Sequence, residues 1–365
     1  MLQALKCRMR PILYFIPFFF LLIAIEMWVA HRRGLKLYRL QDTITSLNIG
    51  TVSQFANTVG GVISVVMYSI IVDRFGAFTW DLKNPLTWVT ALVLYDFLYY
   101  WVHRTGHEVN ILWAAHVVHH SSEEFNLSTA LRQSATGFYF RWVFYIPLAL
   151  LGFPVQVFIV VGLIDLVYQY WVHTQLIGRL GFLELFLVTP SNHRVHHGQN
   201  DYCIDKNYGG ILSIWDRMFG TYADEREDEK PMYGVRKPLH SWNPIWGNVH
   251  HYVAIYKQAR ATSGWRNKLM CFFAGPGWVP PEQLAHSETF EPTKFVRFST
   301  PSPQWMKTLA IASSAVGTVL LIHFLVVQAN LAMGQRIAYS AAVMVCYLVI
   351  GWAWLHPKVL KASHE

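Results

Sequence analysis

Charge is what this chain is shortest of. Asp, Glu, Lys and Arg make up 14% of its residues, against about a quarter in an ordinary soluble domain. Cysteine is scarce too: Cys7, Cys203, Cys271 and Cys346 contain no CxxC pair. That excludes a disulfide framework and a thiolate metal site, and it fits a reducing compartment. There is no internal repeat and no low-complexity tract. No basic run has nucleic-acid spacing, so the formal charge of +8 is assigned to loops facing anionic lipid, with no nucleic-acid partner. The mixed-charge run 224–230 reads as a solvated loop.

What the chain has in excess is apolar surface, with 53% hydrophobic and 15% aromatic residues, gathered into runs. Apolar segments fall at 11–30, 54–72, 86–102, 138–172, 307–329 and 335–355. Runs of about 20 apolar residues are long enough to cross hydrocarbon. The first ends in Trp28, Arg32 and Arg33 rather than in small residues, so it reads as an anchor and not a cleaved leader. The fourth is too long for one span, and Gly152, Phe153 and Pro154 break it. It therefore reads as a hairpin of short helices returning to its starting face. The expected fold is an all-α integral membrane protein: a bundle of transmembrane helices under a cytoplasmic, histidine-rich helical cap holding two metals. The expected organisation is N-terminal transmembrane helices in 1–84, a catalytic domain in 85–300 and a C-terminal helix pair in 301–365. Arg32, Arg33, Lys36, Arg39, Lys358 and Lys361 favour a cytoplasmic location for the polar stretches, while Lys6, Arg8 and Arg10 argue the other way. The membrane is the endoplasmic reticulum in a eukaryote and the inner membrane in a bacterium.

Seventeen histidines are unevenly spread. Three groups stand out: His103-Arg-Thr-Gly-His107, His116-Val-Val-His119-His120 and His193-Arg-Val-His196-His197. On a helix, positions i, i+3 and i+4 share a face, so each group is expected to present its imidazoles in one direction. A lone buried histidine is usually a hydrogen-bonded core residue. Eight in three matched clusters are not explained that way, because each imidazole needs a partner and protonated ones repel. Eight nitrogens exceed the four that satisfy one structural zinc and suit two metals. Imidazole accepts iron, zinc, copper and nickel alike, so spacing does not choose the metal or exclude a two-zinc hydrolase. His103 sits where an apolar segment ends, beside Trp101 and several tyrosines, which fits a membrane interface. A metal there would meet a lipid chain, and oxidising an unactivated C–H bond requires a redox metal. His173 ends the hairpin at a similar exit and is a candidate ninth ligand, with Gln169 as its supporting partner.

Asp96 and Asp165 lie in apolar segments, where charge is costly and usually functional; either would orient a ligating histidine or bond a neighbouring helix. Asp216 would support a ligand from behind, cap a helix or pair with Arg217. Asn126-Leu-Ser128 fits a glycosylation sequon but adjoins the second histidine group, so no glycan is expected. His250-His251 has no partner at metal spacing and is placed on a surface helix around 244–260. Phe272, Phe273 and Trp278 are candidates for membrane contact.

The three boxes, in this order among apolar spans, resemble the fatty-acid hydroxylase and sterol desaturase superfamily. The strings HEVNILWAAHVVHHSSEEFNLSTALRQS from His107 and TPSNHRVHHGQNDYCIDKNYGGILSIWDRMFGTY from Thr189 resemble its alkylglycerol monooxygenase branch, and the likeness covers about 80–280. This resemblance implies two Fe ions held by the eight box histidines, tetrahydrobiopterin as reductant, and molecular oxygen and a lipid as substrates. It implies oxygen insertion at the ether-bearing carbon, giving a hemiacetal that falls apart to an aldehyde and a glycerol derivative. It also implies a role for Glu108, as acceptor for an imidazole N–H or as a pterin contact. The alternatives are a fatty-acyl or sterol hydroxylase or desaturase fed by a redox protein, and a membrane metal transporter or sensor. Against the last, the clusters lie outside the spans.

Overall fold

A computed structural model describes residues 2–286 and 290–362. Among them there is no strand, only the isolated bridge pairs Leu187–Leu212 and Gly198–Tyr233. The principal helices are α1 (Leu2–Arg32), α2 (Leu40–Phe75), α3 (Pro85–Glu108), α4 (Val155–Trp171), α5 (Pro190–His196), α6 (Pro244–Ala261), α7 (Trp265–Phe273), α8 (Gln304–Val327) and α9 (Met333–Ala362). The side chains of Lys6, Arg8, Arg10, Lys358 and Lys361 lie outside those described.

Among the described residues, three helices are long and apolar enough to cross a membrane: Phe15–Arg32 in α1, all of α8, and Gly334–Trp352 in α9. The two halves of α2, Leu40–Asn57 and Gly60–Phe75, meet at 46° and make a fourth if they count as one span. This is fewer than the six apolar segments of the sequence. α3 falls short because Asp96, His103, Arg104, His107 and Glu108 crowd its second half. The 138–172 segment divides, as expected, into pieces of 10–17 residues, Phe138–Leu150 and Val155–Trp171.

The local signals behind these elements are ordinary ones. α3 starts at Pro85, with the Asn84 side chain accepting from Leu86 N, the usual remedy for orphan N–H groups. The hairpin turns at Gly152, whose φ is +83° and whose missing Cβ would stand 2.0 Å from the Phe78 carbonyl oxygen. Packed against this turn, Tyr68, Ala91, Leu148, Phe153, Val157 and Val161 form one apolar cluster that binds α2, α3 and the hairpin. A second joins α2, α8 and α9 through Ile44, Met306, Ala310, Tyr347 and Trp354. A third joins α1 and α4 through Phe19, Ile23 and Tyr170. The short helices and loops of 110–134 and 173–235 carry the histidines of the three groups other than His103 and His107, which lie on α3.

The turn yields a test. Gly152→Ala forces a side chain into a left-handed conformation, at a cost of about 1–2 kcal/mol before any clash, and meets backbone besides. The detergent-solubilised variant should melt several degrees below the parent; an unchanged melting temperature would refute this account of the hairpin.

Candidate metal centre

The last two turns of α3 hold His103 and His107. The chain then breaks at Val109, runs through a short helix Asn110–Ala114 and reaches His116, which precedes the one-turn helix Val117–His120. His173 lies two residues beyond α4. α5 opens on a capping box, Thr189 with Asn192, and on Pro190; it carries His193 and His196, and His197 caps its end.

All nine candidate histidines meet in one place, as two ligand sets. One comprises His103, His107, His116, His120 and His196; the other His119, His173, His193 and His197. Within each set the ligand atoms lie within 4.8 Å of one another. The division corrects the expectation that each HxxHH box points one way. At about 100° per residue, i and i+4 are separated by about 40°, while i+3 and i+4 are separated by about 100°. The i and i+4 members of each box therefore stay together and the i+3 member turns to the other set. His116 and His120 join the first set and send His119 to the second; His193 and His197 join the second and send His196 to the first.

Backbone carbonyls fix which nitrogen faces inward. His103 Nδ1 donates to Tyr208 O at 2.8 Å, His119 Nδ1 to Arg132 O at 3.0 Å, His173 Nδ1 to Gln169 O at 2.7 Å and His196 Nδ1 to Lys206 O at 3.0 Å. A carbonyl can only accept, so in these neutral rings Nε2 carries a lone pair. The His173 and His119 lone pairs nevertheless face each other at 3.3 Å. Neighbouring Nε2 atoms stand 3.1 Å apart at His103–His116 and His120–His116, and 3.0 Å at His193–His173. The buried Nε2 atoms of His107, His196 and His197 have no hydrogen-bond partner. Imidazole nitrogens sharing one ion at about 2.0–2.1 Å would stand about 3.0–3.4 Å apart. Facing lone pairs, orphaned nitrogens and this spacing all fit two bound cations.

Burial holds these rings neutral. It pushes His119 down to about 4 and His196 to about 3, only partly offset by their carbonyl partners, and drives His116, His120, His193 and His197 well below the ordinary range. An unfolded chain would take up these protons first, so in the metal-free protein stability is full above the ordinary histidine range and is lost as pH falls below it. Protons and metal compete for the same lone pairs.

The acids sit behind the histidines. Asp96 accepts from Ile211 N at 2.7 Å, Leu212 N at 3.1 Å and Trp215 Nε1 at 2.8 Å, so it pins a loop and bonds no imidazole. Asp165 accepts from Gln169 Nε2 at 2.6 Å and reaches His173 only through that residue. Gln169 supports His173 as expected, through its main-chain carbonyl. Glu108 is paired with Arg104 at 2.9 Å on a side chain 40% exposed; the hydrogen bond it makes is not to an imidazole. Asp216 accepts from Tyr208 N, Gly209 N and Thr221 Oγ1, holding the turn whose carbonyl orients His103. His251 bonds Asn110 at 2.7 Å and belongs to neither set. Asn126 is buried and caps its own short helix while donating to Leu37 O.

Several supporting residues gave no sequence signal. Buried Arg194, inside the third box, pairs with Glu225 at 2.7 Å and donates to Thr174 O and Ile177 O, clamping α5 to the segment that follows His173. Asn207, at φ +58°, donates to Asn192 O and Ala223 O and so shapes the loop that supplies the Lys206 and Tyr208 carbonyls. Buried Arg132, whose carbonyl orients His119, faces Asp42 at 3.7 Å. Only an Asn at a left-handed turn, a common preference, was readable in principle.

A cavity of about 420 Å³ opens onto both sets, lined by His103, His116, His119 and His173. Its other walls include Phe19, Phe138, Phe158, Leu163 and Leu321.

The fatty acid hydroxylase family profile matches residues 88–221. The chain is 44% identical over 306 residues to alkylglycerol monooxygenase of Homo sapiens, covering 82% of this chain and 68% of that one. It is 47% identical over 243 residues to alkylglycerol monooxygenase of Danio rerio, covering 66% and 54%. It is 33% identical over 337 residues to alkylglycerol monooxygenase of Caenorhabditis elegans, covering 85% and 66%. No solved structure matches.

The unequal sets make a prediction. His173→Ala leaves three donors in its set, whereas His196→Ala leaves four in the other. Metal analysis of the purified variants should show about one ion fewer per chain for His173→Ala and a smaller loss for His196→Ala. Equal losses, or none, would refute the division.

Proposed function

The chain belongs to the alkylglycerol monooxygenase family, and on that premise we propose that it cleaves the ether bond of alkylglycerols by oxygenating the carbon next to the ether oxygen. Kinship makes it a membrane lipid monooxygenase; substrate, metal and reductant are our reading. The observation that carries it is the shared wall of the cavity, where His103 and His116 of one set and His119 and His173 of the other meet an apolar space. About 420 Å³ lies within the usual range for small-ligand sites, about 300–1,000 Å³. Its walls include residues of α1, α2, α3, α4 and α8, and α1 and α8 are candidate spans, so an alkyl chain entering beside them would be buried without crossing water.

Two Fe ions in the histidine sets would supply the oxygen activation that insertion into a C–H bond requires. The chain's own part is to orient. Carbonyls of Tyr208, Arg132, Gln169 and Lys206 hold the rings in the tautomer that leaves Nε2 free, the arrangement by which second partners tune metal ligands. Asp216 and Asp96 act as positioning residues by fixing the 208–215 loop, and Asp165 by holding Gln169. The apolar lining excludes water from the reacting carbon. After hydroxylation the hemiacetal separates into an aldehyde and a glycerol derivative without further help. Glu108 is the proposed pterin contact: its carboxylate is accessible from outside the cavity, one residue from His107.

The catalytic unit is taken as 85–300, with 1–84 and 301–365 as flanking membrane helices. With α1, α8 and α9 as spans, everything from residue 33 to 303 lies on one face, together with Arg32, Arg33, Lys36 and Arg39. The excess of basic residues marks that face as cytoplasmic. The membrane is the endoplasmic reticulum in a eukaryotic host and the inner membrane in a bacterial one.

Two measurements test the reading. The purified protein should contain about two irons per chain and release aldehyde from an alkylglycerol only when oxygen and tetrahydrobiopterin are both present. Two irons without that product would leave a hydroxylase or desaturase of acyl chains or sterols served by a redox protein; zinc alone without oxygen uptake would sink the oxygenase. Separately, Glu108→Gln should raise the KM for the pterin about tenfold, the worth of one charge-assisted hydrogen bond, with metal content unchanged. An unaltered pterin KM would refute the assignment.

A further inference from the structure

Between residues 138 and 171 the hairpin carries only two charged side chains, Arg141 and Asp165. Both line the cavity. A cation inside an apolar hairpin is costly and is usually there for a function. Asp165 is held by Gln169, and among the described residues no carboxylate lies within ion-pairing distance of Arg141. Nor does the guanidinium rest over an aromatic ring. It lies instead against Gly137, where an added Cβ would come within 2.7–2.9 Å of its nitrogens and central carbon. The absence of a side chain at Gly137 thus leaves the room that the guanidinium occupies.

The surroundings fit an anion. Gln133, Ser134, Ser53 and Asn57 line the same cavity, in a wall that joins Phe, Leu and Ile side chains to Tyr95, Tyr99, Tyr145 and Gln169. A guanidinium with its donors free is the geometry that grips a phosphate through parallel N–H···O bonds. The rest of the cavity suits one hydrocarbon chain.

We propose that Arg141 forms a subsite for the phosphate of an anionic single-chain lipid, setting the headgroup on one wall of the cavity while the chain fills its apolar part. This rests on the lipid-monooxygenase reading, so the test is made by binding and needs no turnover. The full-length protein in neutral detergent is equilibrated with radiolabelled hexadecyl phosphate and, separately, hexadecanol. Wild type should bind the phosphate about tenfold more tightly, as one charge-assisted contact allows. Arg141→Gln should abolish that preference and Arg141→Lys retain part of it. Inorganic phosphate should compete only weakly; full competition at equal concentration would make the free ion the ligand of the same subsite. A wild type without preference, or Arg141→Gln with the preference intact, overturns the proposal. Should Arg141→Gln not fold, Gly137→Ala takes its place: it keeps the charge but displaces the guanidinium, and an undiminished preference there overturns the proposal as well. Phosphate preference without any oxygenation would leave the subsite standing and remove the function assigned above.

Discussion

Nine imidazoles, seven of them buried, with lone pairs turned on one another are the arrangement this chain has to hold together. Left alone, facing lone pairs such as those of His119 and His173 at 3.3 Å repel, and the burial that keeps the rings neutral denies them water. The local architecture answers to that. Four rings are held by main-chain carbonyls, and carbonyls can be placed so accurately only if their loops are fixed. Asp216 fixes the turn at Tyr208 and Gly209, Asn207 the loop bearing Lys206, and Arg194 the approach to α5. Few of these contacts look like folding devices, yet each holds a ligand ring one step removed. Bound cations would convert the repulsion into the strongest attraction in the molecule, which is why metal binding and folding are expected to be coupled here.

The histidines were legible in the sequence because their spacing is a helical period, and all nine candidates converge, His173 included. How they divide was not legible. A shared face was the natural expectation for i, i+3 and i+4, but the angle between i+3 and i+4 lets neighbouring rings serve different ions. Fewer helices among the described residues meet the length and apolarity of a span than the sequence has apolar segments, for a related reason. α3 reads as apolar up to Val102, and its polar end then carries it into the metal layer. The acids bond groups other than imidazoles: Asp96 holds Ile211 N, Leu212 N and the Trp215 indole across more than a hundred residues, and nothing in a linear string pairs them. The hairpin was legible because Gly152 and Pro154 are punctuation that acts locally.

The flanking helices do more than anchor. Phe19 and Phe20 of α1 and Leu321 and Ile322 of α8 line the cavity beside the histidines, so residues outside 85–300 complete the space where a substrate would lie. Glu26, buried in α1, binds the Thr174 hydroxyl beside His173, the Tyr38 hydroxyl and Leu127 N. The first span is thereby tied to both the second and the third histidine-bearing segments. The family profile over 88–221 contains every histidine of the two sets and most of the cavity wall, but not the parts that α1, α2 and α8 contribute.

The crosswise division has a consequence for cooperation between the two sets. Each HxxHH box gives two rings to one set and one to the other, so neither set can be displaced without moving a ring of its neighbour. Two separate sites, each built from its own box, would bind their ions independently. Interleaved boxes make the first ion organise half of the second site, because His119 is carried on the same turn as His116 and His120, and His196 on the same helix as His193. The entropy of ordering five rings is then largely met before the second ion arrives. Paired occupancy is what two short helices carrying interleaved boxes would favour, with no bridging carboxylate needed.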